Sequence, residues 1–546
     1  MRRPVLWLIL LALLTFFLGL GRQAISDSDE GFYAEAAREM VETGDWLTPY
    51  FNYEQRWQKP ILYYWLTAGT YVVAGPTELA ARFWSALSGL GLVLLTFAAA
   101  RRVTARDDAA WLAGAIVATC YGYFAMARLA LPDLPLAFFI TLGIWAALEQ
   151  WWIVAGLAAA LGFLTKGPVA LAIPAIVLIP IWWRERRTRP LRLPDVLLAA
   201  VVFLAIGLPW YAAMTFQHGS AYLQSFFLSD NLERFATDRF NEPRSIWFYV
   251  PILIGGLIPW SMYLLVLPWR SVTQVVRRAR RLTDDEWRLL LWAFVPLIFF
   301  TISIGKQPRY ILPVLPPLAI LLARSIVQRI APAESLASGF SREEPGLAIA
   351  TWLTAVLYLV LAVVLYRARP LFITTAYHWL AGPALVVLLL CVAALVWLAV
   401  SRQWRRLPAV VSVCAAALLL TVQFGALAGV RPEPVEQMAA LVRANRTATE
   451  PVGEYQVFVR NLVFYLEFKQ VELFDEARAL DFLKSPGRVL LVVRANDLPR
   501  LESISGVATR KLGEVLYLNA ANIRIGPLLS PIPEQDLETV LLVTNK

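Results

Sequence analysis

The chain has 546 residues, of which 58% are hydrophobic and only 16% are charged, and its mean hydropathy is +0.58. Soluble domains are about half apolar and about a quarter charged, so this composition excludes a series of soluble domains and indicates a protein whose solvent is mostly lipid. The net charge of +10 does not indicate nucleic-acid binding, because the arginines cluster between apolar runs, as in membrane proteins. The three cysteines, Cys120, Cys391 and Cys414, lie inside apolar runs and predict no disulfide framework.

The first apolar run follows directly after Met1–Arg3. It lacks a small-x-small cleavage site, so we predict a retained first membrane span, and a cleaved signal peptide is the alternative. A span needs roughly 20 apolar residues. On this criterion the predicted fold is a polytopic α-helical membrane protein with about thirteen transmembrane helices. The candidate spans are 5–21, 79–100, 108–125, 133–149, 150–164, 168–183, 195–215, 246–269, 288–304, 311–330, 347–366, 378–400 and 408–430.

The basic residues set the orientation of these spans. If the N-terminus is cytoplasmic, every second loop should carry an excess of Lys and Arg. The loops expected on that side hold Arg101, Arg102, Arg106, Arg184, Arg186, Arg187, Arg189, Arg270, Arg277, Arg278, Arg280, Arg281, Arg324, Arg329, Arg402, Arg405 and Arg406. Arg367 and Arg369 are the exception. An odd number of spans then places the C-terminal segment on the outer side.

The first outer loop, residues 22–77, contains two helical patterns. EGFYAEAAREMVETG has Phe32, Ala36 and Met40 at helical spacing, and PILYYWLTAGTYVVAG begins at a proline and is rich in Tyr and Trp. Aromatic residues favour the lipid–water boundary, so both stretches are predicted as amphipathic helices that lie in the interface plane. If the second were a true span, every later loop would change sides and contradict the arginine pattern. Residues 216–245 form a second predicted outer loop.

Residues 1–430 are predicted as the membrane domain and 431–546 as a separate outer domain. The tail combines a helical stretch, PVEQMAALVRANR, with short β-rich runs: YQVFVR, VELF, RVLLVVR, EVLYLN and IRIG. This alternation predicts a small α/β domain. The tail has no phosphate-binding glycine pattern and no metal-ligand spacing, which favours a docking or lid domain.

Cationic residues converge on the predicted outer face. Lys59, Lys166 and Lys306 break the positive-inside rule, and ionisable groups at membrane depth are usually functional. The outer connections also hold Arg234, Arg239, Arg244 and Arg309. Arginine offers planar forked donors and lysine a point charge, so the set suits a phosphate or pyrophosphate. The alternatives are a snorkelling Lys59, a helix end at Lys166 and a solvated loop face for the arginines.

Acidic residues stand in the same outer connections. Asp29, Glu30 and Asp133 are predicted to be catalytic, because carboxylates can orient a sugar, act as a base or stabilise a developing oxocarbenium ion. The alternative for Asp27, Asp29 and Asp133 is that they cap helices, since acids favour helix N-termini. Asp27 is the weakest candidate of the four.

An ordered series of motifs resembles the bacterial lipid A aminoarabinose transferases: DE-x-x-Y at 29–33, QKP at 58–60, LPD at 131–133, TKGP at 165–168 and K-x-x-RY at 306–310. The resemblance covers roughly residues 22–320, and the tail matches only in placement and type. It implies a GT-C-type membrane glycosyltransferase, related to the protein O-mannosyltransferases. Its activity would be transfer of 4-amino-4-deoxy-L-arabinose from undecaprenyl phosphate to lipid A phosphates at the periplasmic face of the bacterial inner membrane. Such a transfer implies resistance to polymyxin and other cationic peptides.

The resemblance also assigns roles to residues. Asp29 and Asp133 match acidic positions near the catalytic cavity, and Lys59, Arg244 and Tyr310 match positions near the carrier phosphate. The predicted substrate-binding set is Lys59, Arg244, Tyr310, Lys306, Arg309, Tyr33, Lys166 and Arg234. The donor needs no nucleotide, so no cofactor is required. No metal ligand is assigned, although a bound divalent metal, for instance at His218, stays open; His378 is equally isolated.

Mechanism and acceptor stay open at the level of sequence. An acceptor phosphate is already ionised, so Asp29 and Asp133 would orient it or pair with the amino group of the sugar, whereas a hydroxyl acceptor would make Asp29 a base. One rival function is another GT-C transferase that uses a polyprenyl-phosphate sugar with a protein or other glycan acceptor. A transporter or flippase is the second, and it is disfavoured because the charged residues lie in outer connections rather than midway through spans.

Overall fold

The structure is a computed structural model that describes residues 2–26, 28–226, 244–267, 282–330, 344–374, 380–427, 430–447, 449–519 and 525–546. Apolar helices make up most of residues 2–427, and a small mixed sheet lies at the C-terminal end. This arrangement confirms the predicted fold class. Of the residues named in the sequence analysis, the candidates Asp27, Arg234, Arg239 and His378 lie outside the described residues, as do Arg270, Arg277, Arg278, Arg280 and Arg281.

In the part of the chain that the structure describes, five helices are long and apolar enough to cross a membrane: Glu78–Thr104, Pro308–Ile330, Pro345–Phe372, Ala381–Ser401 and Trp404–Ala426. Three bent pairs raise this number to eight if each pair is one span. Shorter helices are Arg3–Phe17, Asp133–Leu148, Trp152–Lys166, Val169–Glu185 and Asp284–Ile302. Every predicted span overlaps one of these helices, but the number that cross a membrane stays a prediction.

Three predicted spans are broken rather than straight. The pairs are Asp107–Thr119 with Tyr121–Ala127 at 55°, Leu193–Gly207 with Pro209–Phe226 at 43°, and Tyr249–Gly256 with Trp260–Val266 at 107°. Pro209 begins the second helix of one pair and Pro259 lies in the break of another, and a proline lacks the backbone N–H that would continue the preceding helix. The first and third breaks contact each other, because the N–H of Tyr121 donates to the carbonyl of Ile258 at 3.0 Å. Unpaired backbone groups are unfavourable in lipid, so this bond stabilises both interruptions.

Both predicted helices of residues 22–77, which we call the first long loop, are present at Ser28–Thr43 and Leu62–Ala74, and they contact each other. The first opens with Asp29 and Glu30, which interact favourably with the positive end of the helix dipole. A two-stranded antiparallel hairpin, β1 (Tyr50–Phe51) and β2 (Glu54–Gln55), lies between them and was not predicted.

The C-terminal segment folds around a five-stranded sheet. Its strands are β3 (Val452–Tyr455), β4 (Val471–Leu473), β5 (Leu490–Arg494), β6 (Arg510–Tyr517) and β7 (Glu538–Thr544). In the order β4–β3–β5–β7–β6, the first three strands are parallel and β7 is antiparallel to both neighbours. The helices are Pro434–Asn445, Leu462–Leu466, Glu476–Leu483, Leu498–Ser505, Ile525–Leu529 and Pro533–Asp536. We call residues 434–546 the C-terminal sheet region; a domain boundary at residue 431 stays a prediction.

Two strands predicted in this region are wrong. YQVFVR leaves β3 after Tyr455, because Gln456, Phe458 and Arg460 have φ values of 55°, 54° and 77°, which an extended strand excludes. The described part of IRIG, residues 525–526, begins a short helix. The sequence interpretation also missed β7, although that strand lies inside the sheet.

Candidate active site

Arg309 joins the two predicted acids. Asp29 lies in the first turn of Ser28–Thr43, and Asp133 is the first residue of Asp133–Leu148. Arg309 Nη2 donates to Asp29 Oδ2 at 2.6 Å, and Arg309 Nε lies 3.5 Å from Asp133 Oδ2. One guanidinium therefore connects two helix starts that are far apart in the sequence.

Lys166 lies on the other side of Asp133. It ends the helix Trp152–Lys166, and its Nζ donates to Asp133 Oδ1 at 2.5 Å. The same ammonium lies 5.2 Å from the centre of the Tyr310 ring, within the range of a cation–π interaction. The contacts thus run from Tyr310 through Lys166, Asp133 and Arg309 to Asp29, and we call these five residues the acid–base array.

The two acids of the acid–base array differ in exposure. The side chain of Asp133 is 5% exposed, whereas that of Asp29 is 40% exposed. Burial raises the pKa of Asp29, but the charge and hydrogen bond of Arg309 outweigh this effect, so the pKa lies below its usual value. Arg460 and Arg56 lower it further. Asp29 is therefore an ionised carboxylate at neutral pH, with an edge that a substrate can contact.

Glu30, the neighbour of Asp29, lies in a closed ion pair. Arg82 Nε and Nη2 donate to Glu30 Oε1 and Oε2 at 2.6 and 2.9 Å, and both side chains are 1% exposed. The N–H of Ala130 donates to the same carboxylate at 2.8 Å, and Arg82 also donates to three backbone carbonyls within residues 20–24. This geometry opposes the predicted catalytic role of Glu30, because a substrate has no access to it, and favours an anchoring role.

Tyr33 follows Asp29 by one helical turn. Its ring stacks on Tyr64 with 5.6 Å between centroids and meets Tyr63 edge-on at 5.5 Å. Burial raises the pKa of the Tyr33 hydroxyl well above its usual value, so this phenol is neutral. Its predicted contact with the substrate stays a prediction.

The remaining predicted cations have other contacts. Lys306 is buried and donates to the backbone carbonyl of Arg244 at 3.1 Å. The guanidinium of Arg244, an exposed residue, lies 4.9 Å from the centre of the Phe248 ring. Lys59 donates to the carbonyl of Gln58 at 2.9 Å. The assignment of these cations to a carrier phosphate stays a prediction.

Metal binding has no further support from the described residues. Among them, no group of three or more His, Cys, Asp or Glu side chains is placed to hold a metal ion. His218 Nε2 lies 2.9 Å from Thr48 Oγ1, and its ring packs 5.2 Å from the Trp57 ring. These contacts give His218 a packing role against the first long loop.

Known proteins are similar to this chain in both sequence and fold. The family model described as dolichyl-phosphate-mannose-protein mannosyltransferase matches residues 8–221. The undecaprenyl phosphate-α-4-amino-4-deoxy-L-arabinose arabinosyl transferase of Pseudomonas paraeruginosa is 34% identical over 385 residues, which are 68% of this chain and 68% of that protein. The chain belongs to this arabinosyl transferase family.

Two further comparisons define how far the similarity to other arabinosyl transferases extends. Arabinosyl transferase 2 of Proteus mirabilis is 34% identical over 330 residues, which span 58% of each chain. The crystal structure of ArnT from Cupriavidus metallidurans bound to undecaprenyl phosphate is 22% identical, with a TM-score of 0.73 over 99% of this chain and 98% of that one. The shared fold therefore includes the C-terminal sheet region.

Two cations beside Asp29 were missed by the sequence interpretation. Arg56 opens the RWQKP motif, where Lys59 alone was selected, so a count of all basic residues in that motif would have found it. Arg460 lies in the C-terminal sheet region, and no motif marks it. Both lower the pKa of Asp29.

Proposed function

We propose that this protein transfers 4-amino-4-deoxy-L-arabinose from undecaprenyl phosphate to the phosphate groups of lipid A. The observation that carries the proposal is the acid–base array, in which an ionised and accessible Asp29 is held beside cations in a member of the arabinosyl transferase family. The distribution of arginines favours a cytoplasmic N-terminus and a site on the periplasmic side of the bacterial inner membrane.

In the proposed reaction, an oxygen of the acceptor phosphate forms a bond to the anomeric carbon of the sugar while the bond from that carbon to the carrier phosphate breaks. The electron pair of the broken bond stays on the carrier phosphate, which gains negative charge. Lysine and arginine donors accelerate this step when they bind the developing charge more strongly than the ground state. The cations proposed for this role are Lys59, Arg244, Lys306 and Arg234, and Tyr310 is proposed to lie beside the same phosphate.

Asp29 orients the substrate in this proposal and does not deprotonate it. An efficient general base has a pKa near the working pH, whereas Arg309 holds the pKa of Asp29 below its usual range. An acceptor phosphate is already ionised and needs no base. The exposed edge of Asp29 suits the charged amino group of the sugar. Asp133 is buried, so its role is to position Lys166 and Arg309.

A transfer assay tests the proposal. Purified protein is incubated with radiolabelled undecaprenyl-phosphoaminoarabinose and lipid A, and label on lipid A is measured. We expect transfer by the wild type and a large loss with Asp29→Asn. Asp481→Asn, at an exposed position of the helix Glu476–Leu483, is the matched control and should retain activity. Folded wild-type protein that transfers no label would contradict the proposal.

A protein acceptor is the second candidate, because the mannosyltransferase family model matches residues 8–221. The same assay with polyprenyl-phosphate mannose and peptides rich in Ser and Thr distinguishes the two. Label on the peptides and none on lipid A would favour the second candidate.

The proposed orientation has its own test. The natural cysteines Cys120, Cys391 and Cys414 are buried, so a new exposed cysteine can be labelled selectively. Gln217→Cys, near the end of Pro209–Leu223, should react with a membrane-impermeant thiol reagent from the periplasmic side. Labelling only from the cytoplasmic side would reverse the topology.

A further inference from the structure

The C-terminal sheet region contacts the first long loop through specific hydrogen bonds. Asn52 Nδ2 donates to the carbonyl of Gln470 at 2.9 Å, and the N–H of Gln470 donates to Asn52 Oδ1 at 2.8 Å. Asn461 Nδ2 donates to the backbone of residue 26 at 2.6 Å. Gly31 lies so close to Arg460 that a Cβ at position 31 would overlap the Arg460 carbonyl oxygen. These contacts place Arg460 beside the helix turn that carries Asp29.

Arg56 and Arg460 share one aromatic ring at this contact. The Cζ atom of Arg56 lies 3.6 Å from the centre of the Phe32 ring, and that of Arg460 lies 4.3 Å from it. Cation–π attraction to Phe32 favours both positions, whereas the two guanidinium groups repel each other. The pair therefore concentrates positive charge next to Asp29.

Neither guanidinium has a carboxylate partner within 4.0 Å among the residues that the structure describes. Arg56 is only 8% exposed, and its Nε donates to the hydroxyl of Tyr64 at 3.1 Å. The Nε of Arg460 is buried without a hydrogen-bond partner in the same part of the chain. Burying a cation is unfavourable unless an anion and hydrogen bonds compensate it, so this pair indicates a place for an anion.

The surrounding charges also leave room for an anion. The acid–base array is neutral by itself, with Lys166 and Arg309 against Asp29 and Asp133, and the two arginines on Phe32 add two positive charges. Glu472 on β4 interacts with both arginines and offsets part of their charge, although burial raises the pKa of this carboxyl. A phosphate monoester carries about −1.5 to −2 charges at pH 7, which suits a site with a net positive charge.

We propose that Arg56 and Arg460 form the subsite for the phosphate group of the acceptor, so that the C-terminal sheet region contributes directly to substrate binding. This inference rests on the proposed function. Forked guanidinium donors bind two phosphate oxygens at once, which suits a phosphate monoester on a lipid headgroup.

The order of contacts favours the acceptor phosphate over the carrier phosphate. Tyr310, which is proposed for the carrier phosphate, lies at one end of the acid–base array. Asp29 lies at the other end, with Arg56 and Arg460 beside it. A direct displacement needs the entering and leaving oxygens on opposite sides of the anomeric carbon. Such a reaction needs one position for each phosphate, and we assign the position beside Asp29 to the acceptor.

Steady-state kinetics with each substrate varied in turn tests this subsite. Arg460→Gln should raise the KM for lipid A by about tenfold, the effect of losing roughly 1.4 kcal/mol of binding, and leave the KM for the donor unchanged. Arg460→Lys keeps the charge and should recover part of the loss. Arg478→Gln removes a 71% exposed arginine of the same region and is the matched control. Arg56→Gln repeats the test from the first long loop and should also raise the KM for lipid A alone. Thermal unfolding in detergent checks that each variant is folded.

Two kinetic outcomes would overturn the inference while the proposed function stands. A rise in the donor KM alone would place the carrier phosphate on these arginines. An unchanged KM for both substrates would show that the arginines only pack the two regions together.

A binding measurement separates this inference from the proposed function. Radiolabelled lipid A, intact or treated with phosphatase, is bound to the purified protein. We expect the wild type to prefer the phosphorylated form and Arg460→Gln to lose that preference. A wild type that prefers phosphorylated lipid A but transfers no sugar would contradict only the proposed function. Equal preference in both proteins would overturn the subsite.

Discussion

Asp29 and Glu30 are adjacent in the sequence, and each pairs with an arginine, yet the two ion pairs belong to different kinds of region. In the Glu30–Arg82 pair each side chain is 1% exposed, and backbone groups complete the hydrogen bonds. In the Asp29–Arg309 pair the side chains are 40% and 21% exposed. A closed, fully bonded pair can anchor a helix but has no access to substrate. Exposure to solvent therefore distinguishes Asp29, which is proposed to bind substrate, from Glu30, which anchors its helix.

The largest expected effect is a loss of stability when the closed Glu30–Arg82 pair is broken. Arg82→Met leaves the Glu30 carboxylate buried without its partner, which should lower the free energy of unfolding by about 3–5 kcal/mol. Thermal unfolding in detergent measures the loss. Arg101→Met is the matched control on the same helix, because its ion pair with Asp107 is exposed and should contribute at most about 1 kcal/mol. Equal losses in the two variants would remove the distinction between closed and open pairs.

A substitution in the open Asp29–Arg309 pair should lower turnover rather than stability. Asp29→Asn removes the charge proposed to contact the substrate and should lower kcat by about a hundredfold, or roughly 2.7 kcal/mol of transition-state stabilisation. Its unfolding temperature should stay close to that of the wild type, because the neutral amide that replaces the carboxylate remains partly in solvent. Glu30→Gln is the comparison, and it should lose more stability than turnover. If Glu30→Gln instead lost turnover without losing stability, the anchoring role would be wrong.

Gly31 follows the two acids in the first long loop and packs against the C-terminal sheet region, so it links this loop to that region. In Gly31→Ala the added methyl group overlaps the Arg460 carbonyl and the Asn461 side chain, so the first long loop and the C-terminal sheet region must move apart. Overpacking of this kind costs about 1–3 kcal/mol, and we expect a lower unfolding temperature together with a higher KM for lipid A. Gly69→Ala, in the helix Leu62–Ala74 with no atom within 4 Å of its added Cβ, is the control. It should leave the KM unchanged and should not lower the unfolding temperature, because alanine favours a helix more than glycine does. An unchanged KM in Gly31→Ala would mean that the docking of Arg460 does not affect acceptor binding.

The comparison also shows what the sequence could and could not predict. The motifs and the positive-inside rule brought Asp29, Asp133, Lys166 and Arg309 to one face, and the structure joins these four residues. The sequence could not separate Asp29 from Glu30, because the closure of Glu30 depends on Arg82 in another helix.

The tail was predictable in class but not in detail. Its β-rich runs predicted an α/β fold, yet the left-handed residues in YQVFVR are set by tertiary contacts rather than by local propensity. Those left-handed residues include Arg460, which the fold brings to the first long loop. Its place beside Asp29 therefore had no signal in the sequence.

The smallest expected effect concerns Glu433, another buried carboxyl, which accepts the N–H of Ala24 at 2.8 Å. Burial raises its pKa from 4.5 to about 7, with Arg82 and Arg431 opposing the shift and Glu436 adding to it. Because the folded protein binds this proton more tightly than the unfolded chain, the stabilisation is fully present below pH 4.5 and is lost as the pH rises through about 7. We expect the free energy of unfolding to fall by roughly 1–2 kcal/mol between about pH 5 and 8, and Glu433→Gln to flatten this dependence. An equal fall in both proteins would mean that Glu433 keeps its charge in the folded protein, without the bidentate arginine that pairs with Glu30.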